Sequence, residues 1–495
     1  MQPNRQQGGT TVKKVKWSDI SRRQIMKAGA LAAATGVLPT ALTSPALAGA
    51  EEDRIIASAK KLGKAELTGI LWSNYQVAIS PVVGAFNDAT GISLPKIQDI
   101  STFDIPQRAM AEALSKSPEF DFFHLDSNMI PSLASAGLIE PLDEYMAAAG
   151  FKINAVGDFG KFMTYKGKTY GMPTDGNVHV QFIRKDLFED ADEKKAFADK
   201  HGREMTWPGT WEEELELMNF FTRPDDNLWG SANLRDRGSS LAWIYMYLYS
   251  AGGFPFDDDM NPTIDTPEGE YAVQTFLNVK SASHPEAAGW GTPQMIPRII
   301  NGNAFSCQYW DGIIALAENP DKSKTAGKWS YGLVPGSDFS GSRKHRSISA
   351  PVVAVVVNRH SPRKAQMAHM AMYLATAANS SLIVGDPVNT FHDPWHVDHF
   401  KEGSKPFNTY TAGGMDAINR NLKVTTPPIY LTGLLEFETE FKRNVSEAYT
   451  GDKTAKQVVK DTEAAWKRTV RRIGKRKLKE ELATYKSLFP SVDTA

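Results

Sequence analysis

Along the first third of the chain, short apolar runs alternate with amphipathic stretches. A charged segment, Glu51 to Lys64, reads as a helix, and Leu67-Thr-Gly-Ile-Leu-Trp72 is an apolar run of strand length. Ser80 to Thr90 has helical spacing and ends at Gly91, and Gln107 to Ser117 forms a second helix with Ala109, Met110, Ala113 and Leu114 on its apolar side. Phe120-Asp-Phe-Phe-His-Leu125 is the next strand, followed by Asp126-Ser127 and a helix that runs through Ala136 to Gly137. This alternation predicts βαβ units and a parallel sheet, with ligands taken at the carboxyl ends of the strands. Trp72, Asn74 and Asp126 fall at those ends.

Further on, Tyr165 to Gly171 reads as a tight hairpin and Val178 to Arg184 as a strand. Thr210 is a predicted N-cap for Glu213 at the start of a long helical region, and Ser239 to Ser250 is an aromatic-rich helix closed by Gly252-Gly253. Phe305 to Trp310, Tyr331 to Pro335 and Ser349 to Asn358 are strands, the last apolar enough to be buried on both faces. The C-terminal third is largely helical and strongly charged from Thr454 to Leu488. No Pro/Gly/Ser linker divides the chain, so any passage between two lobes is expected to be made by strands.

The N-terminus changes this picture by adding an address. Ser-Arg22-Arg23-Gln-Ile-Met-Lys27 precedes an Ala/Gly-rich stretch from Ala28 to Leu42, and small-residue cleavage sites follow at Ala46-Leu47-Ala48 and Ala48-Gly49-Ala50. Basic n-region, apolar h-region and Ala-x-Ala ending are the three parts of a signal peptide, here of the twin-arginine kind, cleaved near Ala48 or Ala50. The expected location is the periplasm. Without residues 1–50 the chain keeps 49 basic and 56 acidic residues, near −7, which argues against a nucleic acid or anionic membrane partner. No later stretch reaches the roughly 18 apolar residues of a membrane span.

Twin-arginine export raises the question of a preloaded cofactor. The one cysteine, Cys307, excludes an iron–sulfur cluster or a thiolate zinc cage, both of which need several thiolates. His392-Asp-Pro-Trp-His396-Val-Asp-His399 contains ligands that zinc or copper would accept, but its Asp-Pro disfavours the helix that would stack two imidazoles. It reads as a polar surface loop or a loop bordering a ligand cleft, and no metal, cofactor or catalytic residue is assigned. Asp257-Asp258-Asp259 lacks the glycine and glutamate of an EF-hand and reads as a turn, and Lys467 to Lys479 reads as the wet face of a helix whose Trp466, Val470 and Ile473 pack inward. The aromatic positions Trp72, Tyr75, Trp310 and Trp395, with Asp126, Asp175, Asn177 and Asp311 nearby, pair stacking faces with hydrogen-bonding groups, a combination suited to a polyhydroxylated ligand.

Tyr165-Lys-Gly-Lys-Thr-Tyr-Gly-Met-Pro173, then Arg184-Lys-Asp-Leu-Phe188, then Pro208-Gly-Thr-Trp211-Glu-Glu, resembles the central signature of the family-1 extracellular solute-binding proteins of ABC transporters, the maltodextrin-binding protein and its relatives among them. Gly137 to Tyr145, Tyr249 to Gly253, Asn301 to Trp310, Gly332 to Gly336 and Thr450 to Thr454 follow the same pattern in the same order. The resemblance implies an α/β, two-lobe periplasmic-binding-protein type II fold with hinge strands. Its first lobe would be 51–176 plus 350–378 and its second 177–349 plus 379–495. It implies a monomeric receptor without enzymatic activity, which captures a sugar, oligosaccharide or sugar alcohol and delivers it to the transmembrane subunits of an ABC permease. By the same resemblance, Trp72 and Asn74 are first-strand ligand contacts, Asp126 an acidic contact and Trp310 a stacking platform. Asn389 stands where relatives commonly carry arginine. A receptor for glycerol or another small non-sugar solute is the alternative, and a secreted metal-dependent or carbohydrate-active enzyme is a further one.

Overall fold

The apolar run near residue 355 is the strand around which the first sheet is built. Val353 to Val357 are all buried, so this strand lies inside the protein on both faces. In the computed structural model the described residues are 49–489, apart from 73–74, 101–104, 118, 349–351, 387–391 and 428, and for Trp72, Asp99, Ile100, Pro106 and Ala113 the backbone alone. The segment up to residue 48 that was read as a signal peptide, Asn74 and Asn389 lie outside the described residues.

In chain order the main strands are β1 (Ala65–Trp72), β2 (Ile92–Ile100), β3 (Phe122–Asp126), β4 (Gly171–Asp175), β5 (His179–Arg184), β6 (Trp229–Ser231), β7 (Ala304–Trp310), β8 (Trp329–Gly332) and β9 (Val353–Val357). One sheet has the order β2-β1-β3-β9-β4 and the other β8-β5-β7-β6. With helices packed around both, the molecule is a mixed α/β structure. Only part of it follows the parallel pattern expected from the sequence. β1 runs parallel to β2 and β3, but β9 is antiparallel to both β3 and β4, because it returns to the first sheet after the chain has built the second. In the second sheet β5 is antiparallel to β7 and β8.

β2 carries no clear strand signal, since Pro95 interrupts a largely polar run. It forms nonetheless because it is an edge strand paired only with β1, and the register shifts between Glu66 and Thr68 across from Pro95. The helix expected from Ser80 begins at Tyr75 and contains Pro81. Proline removes the N–H that would reach the carbonyl of Val77, and Val77 is exposed, so water can take that bond. Thr210 caps its helix as expected: its hydroxyl accepts from Glu213 N at 3.2 Å, and the Glu213 carboxylate accepts from Thr210 N. In the hairpin, Lys166 and Gly167 both take positive φ, 48° and 74°, the signature of the tight turn that matches strand twist.

Helices Leu434–Thr450, Ala455–Ile473 and Lys475–Leu488 end the chain. Trp466 is fully buried against Phe256, Phe437 and Phe441, as its helical spacing implied. The basic run beside it is less idle than a solvated face: Lys475 donates to Asn261 Oδ1 at 2.6 Å, and Lys479 pairs with Asp259. The acidic turn and the basic helix therefore meet each other. The last helix also reaches the first hairpin, where Tyr165 donates to Glu481 at 3.2 Å, Lys161 Nζ donates to Leu488 O at 2.8 Å and Phe162 stacks on Phe489.

The chain passes from the first sheet to the second between β4 and β5 through Gly176, Asn177 and Val178. Gly176 N donates to Asp393 O at 3.0 Å, and a Cβ on Gly176 would lie 2.4 Å from the Pro394 carbonyl oxygen. Because the obstruction is backbone, it cannot rotate away. Gly176→Ala should lower stability by about 1–3 kcal/mol, read as the urea midpoint, whereas Gly157→Ser, with open space beside it, tests the lesser cost of a positive φ alone.

Candidate functional site

The strand ends of the two sheets converge on the β4–β5 crossover. Val353 pairs with Asp126 on one side and Asp175 on the other, so the ends of β3 and β4 flank the start of β9. In the second sheet His179 pairs with Trp310, which brings Asp311 beside Val178. Val178 N donates to Asp311 Oδ1 at 2.9 Å, and Asp311 N donates back to Val178 O at 3.1 Å. A third carboxylate arrives from a distant loop: Asp393 N donates to the Asp175 carboxylate. Asp175, Asp311 and Asp393 are thus gathered at one point, and all three are buried.

Burial dominates their electrostatics. It pushes Asp393 up to about 7, and it raises Asp175 and Asp311 well above the usual carboxylate range, with the Asp393 charge adding to both. Asp311 and Asp393 approach each other side chain to side chain, and two carboxyl groups so placed are joined by a proton that one of them retains. Asn177, also buried, takes φ 101° in the same crossover.

A second group spans the two halves. Asp126, half-buried, feels the charges of Glu438 and Lys442 on the helix Leu434–Thr450; burial, then Glu438, lifts it to about 7. Glu438 and Lys442 pair at 2.9 Å one helical turn apart. The hydroxyls of Tyr245 and Tyr249, on the helix Leu241–Ser250, feel the Glu438 charge. These two rings stack 5.7 Å apart, are 3% and 0% exposed, and neither hydroxyl has a hydrogen-bond partner among the described residues. Trp310 stays half-buried, held edge-on by His179, Trp243 and Tyr309 with centroids 4.9, 5.7 and 5.3 Å away.

Asp126, Asp175, Asn177, Trp310 and Asp311 therefore occupy the convergence of the two sheets. Tyr75 and Trp395 are packed differently. Tyr75 is 2% exposed and sandwiched between His124 and His392 at 4.1 and 4.7 Å, and Trp395 is 1% exposed against His396 and His399. Two imidazoles of that loop, His396 and His399, are committed to the backbone. His399 Nδ1 accepts from Trp395 N and His396 N, which leaves its Nε2 to donate to Ser380, and His396 Nδ1 accepts from Asp398 N. Among the described residues no group of three His, Cys, Asp or Glu side chains could hold a metal ion.

Glu438, Lys442, Tyr245 and Tyr249 were not singled out from sequence as candidates, and Asp393 was named there only within the His392–His399 metal candidate. Tyr245 and Tyr249 do carry a signal, being an i,i+4 pair in a conspicuously aromatic helix. Glu438 and Lys442 carry none, because a Glu–Lys pair at that spacing looks like any exposed helix face.

The model of the bacterial extracellular solute-binding proteins matches residues 72–379. Solved structures share the fold. An ABC transporter solute-binding protein of Agrobacterium radiobacter K84 in complex with ribitol is 15% identical with a TM-score of 0.71, covering 82% of this chain and 99% of its own. Maltose-bound MalE3 of T. maritima is 17% identical with a TM-score of 0.69, covering 81% and 99%. A solute-binding protein of Agrobacterium vitis S4 with bound D-mannitol is 19% identical with a TM-score of 0.66, covering 83% and 99%.

The carboxyl cluster has a consequence for pH. A buried acid whose pKa is raised favours the fold when protonated, so its contribution is present below the unfolded value near 3.8 and is lost as pH rises toward about 7. Buried His179, lowered to about 3, acts oppositely and loses stability as pH falls below about 6.5. The difference between a variant and the parent isolates one group. Asp393→Asn should gain stability relative to the parent as pH rises from 4 to 8, read as the gap between their melting temperatures; a pH-independent gap would refute the raised pKa.

Proposed function

This chain belongs to the bacterial extracellular solute-binding proteins, and from that premise we propose that it is the capture receptor of an ABC importer, holding a sugar or sugar alcohol between two lobes. The observation that carries the reading is that Asp126 and Asp175, at the ends of first-sheet strands, and Trp310 and Asp311, at the end of a second-sheet strand, are drawn to one crossover between the sheets. A ligand touching both sides at once stabilises the closed arrangement, and closure is the signal a membrane permease can recognise. Trp310 offers a stacking face for the apolar side of a sugar ring, while carboxyl and tyrosyl groups serve its hydroxyls. Ribitol, maltose and mannitol in the proteins of like fold support this class of ligand. No bond is made or broken in this mechanism.

In this reading the first lobe is built on β1–β4 and β9 and the second on β5–β8, divided as 51–176 plus 350–378 and 177–349 plus 379–495. One refinement follows from contacts: Val156 N donates to Trp395 O at 2.8 Å and Val397 N to Asn154 O at 3.2 Å, which ties the loop near residue 396 to the first lobe. The protein reaches the periplasm by the twin-arginine route and works there as a monomer beside its permease.

Two measurements test the proposal. Calorimetric titration with sugars and sugar alcohols should give one-to-one binding without turnover, and Trp310→Ala should weaken it by about 2 kcal/mol or more. Unchanged affinity removes Trp310 from the site. Separately, replacing Arg22 and Arg23 together by lysine should hold the precursor inside the cell with its leader uncleaved, and normal export of that variant would exclude the twin-arginine route.

A further inference from the structure

We propose that His179 and Trp243 are the hydrogen-bonding residues of the ligand site beside Trp310, and that they receive the hydroxyl edge of a sugar or polyol whose apolar face lies on the Trp310 ring. This rests on the receptor reading above and deepens it, by naming two residues that reading does not use.

The three rings form a triangle. His179 and Trp310 are cross-strand partners at the ends of β5 and β7, so both side chains leave the same face of the sheet. Their centroids are 4.9 Å apart, and Trp243, from the first turn of the helix Leu241–Ser250, closes the triangle at 5.0 Å from His179 and 5.7 Å from Trp310. His179 and Trp243 are fully buried and Trp310 is half-buried, so the group is reached from the Trp310 side. Asp311, next in the chain, is tied to Val178, which sets the triangle at the crossover where the two sheets converge.

Three nitrogens of this group are open. Neither ring nitrogen of His179 nor Nε1 of Trp243 has a hydrogen-bond partner among the described residues. Buried polar atoms are nearly always paired, so three exceptions on contacting rings call for an occupant. The fold is able to pair such groups close by. Gln181 and Gln308, two residues further into the same strand pair and on the same face, are engaged by the protein itself: Gln181 Nε2 donates to Glu214 at 2.7 Å, Gln308 Nε2 to Gln181 Oε1 at 2.6 Å and Asn233 Nδ2 to Gln308 Oε1 at 2.7 Å. The buried tryptophans Trp211, Trp329 and Trp466 likewise donate from Nε1, at 2.8, 2.9 and 2.8 Å. In this strand pair, polar groups inside the sheet are satisfied by the protein and those at its end beside Trp310 are not.

The donor set defines the occupant. Burial keeps the His179 imidazole uncharged, so one nitrogen carries a proton and the other a lone pair, while the Trp243 indole can only donate. An ammonium serves the bare nitrogen alone, and a carboxylate only the two N–H groups. A hydroxyl both donates and accepts, so a ligand that presents several of them serves all three nitrogens. A sugar ring seated on Trp310 carries its hydroxyls at its rim, toward the His179 and Trp243 rings that stand at 83° and 87° to the Trp310 plane.

The test is calorimetric titration of the mature protein with D-mannitol, ribitol and maltose, followed by the monodeoxy forms of whichever binds most tightly. His179→Leu removes both nitrogens at similar volume, His179→Gln restores a donor and an acceptor, and Trp243→Phe keeps an aromatic ring without its N–H. His179→Leu and Trp243→Phe should each weaken binding about tenfold, and His179→Gln should recover part of the loss. In the ligand-free protein the order reverses: His179→Leu should melt no lower than His179→Gln, because the nitrogens have no partner there to lose. A merely structural histidine would make glutamine the better replacement in both measurements. One monodeoxy form should bind the parent about tenfold more weakly and lose nothing further against His179→Leu. Unchanged affinity in His179→Leu and Trp243→Phe, or a glutamine variant that is the more stable of the two, overturns the assignment and leaves the receptor reading standing on the binding itself. The deoxy series needs the parent alone, and equal binding of every monodeoxy form overturns the assignment as well. Binding of none of the three parent ligands overturns the ligand class of the receptor reading together with this inference.

Discussion

The arrangement depends on how the chain crosses from one sheet to the other. Between β4 and β5 three residues must leave the first sheet, turn and enter the second while remaining buried, and each backbone group on the way needs a partner. Asp311 takes the N–H of Val178, Asp175 takes the N–H of Asp393, and the carbonyl of Asp393 takes the N–H of Gly176. The crossover is thus clamped by three aspartates drawn from three distant parts of the chain. Their carboxylates serve as backbone acceptors first, and their charge is the cost of that service.

That cost shapes the site. Carboxyl groups gathered in a dry interior repel one another and hold protons, and Asp126, raised by burial and by the Glu438 charge, shares that environment. The electrostatics of the candidate site therefore grow out of the structural solution at the crossover. Aromatic rings complete it: Trp310 is held in place by edge contacts from three neighbours, so its orientation is set by the second sheet and its helices, with little left to the ligand.

Packing outside the site follows the same economy of partners. The acidic turn at residues 257–259 and the basic C-terminal helix, each unremarkable in isolation, neutralise one another. Exposed pairs of this kind contribute little individually, about 0–1 kcal/mol. The larger contribution of the last helix is apolar, with Leu478, Leu482, Tyr485 and Phe489 all buried.

Much was legible in the sequence because it depends on local pattern. The strands at 65–72, 122–126, 179–184, 304–310 and 353–357, the cap at Thr210, the tight turn at Lys166-Gly167 and the inward face of the helix around Trp466 each follow from spacing of apolar residues or from one residue's own conformational preference. The family followed from an ordered set of short motifs. Strand β2 and the antiparallel course of β9 were not legible, since an edge strand needs only one partner and direction is settled by where the chain has already been. The charged neighbours of the candidate residues were equally hidden. Tyr75 and Trp395 have the chemistry of ligand platforms, yet packing placed them inside, while Glu438 and Lys442 look like surface residues and tertiary structure brought their charges to bear on Asp126. Which aromatic faces a cleft, and which carboxyl group loses its water, is decided by contacts hundreds of residues apart, and no local pattern records those.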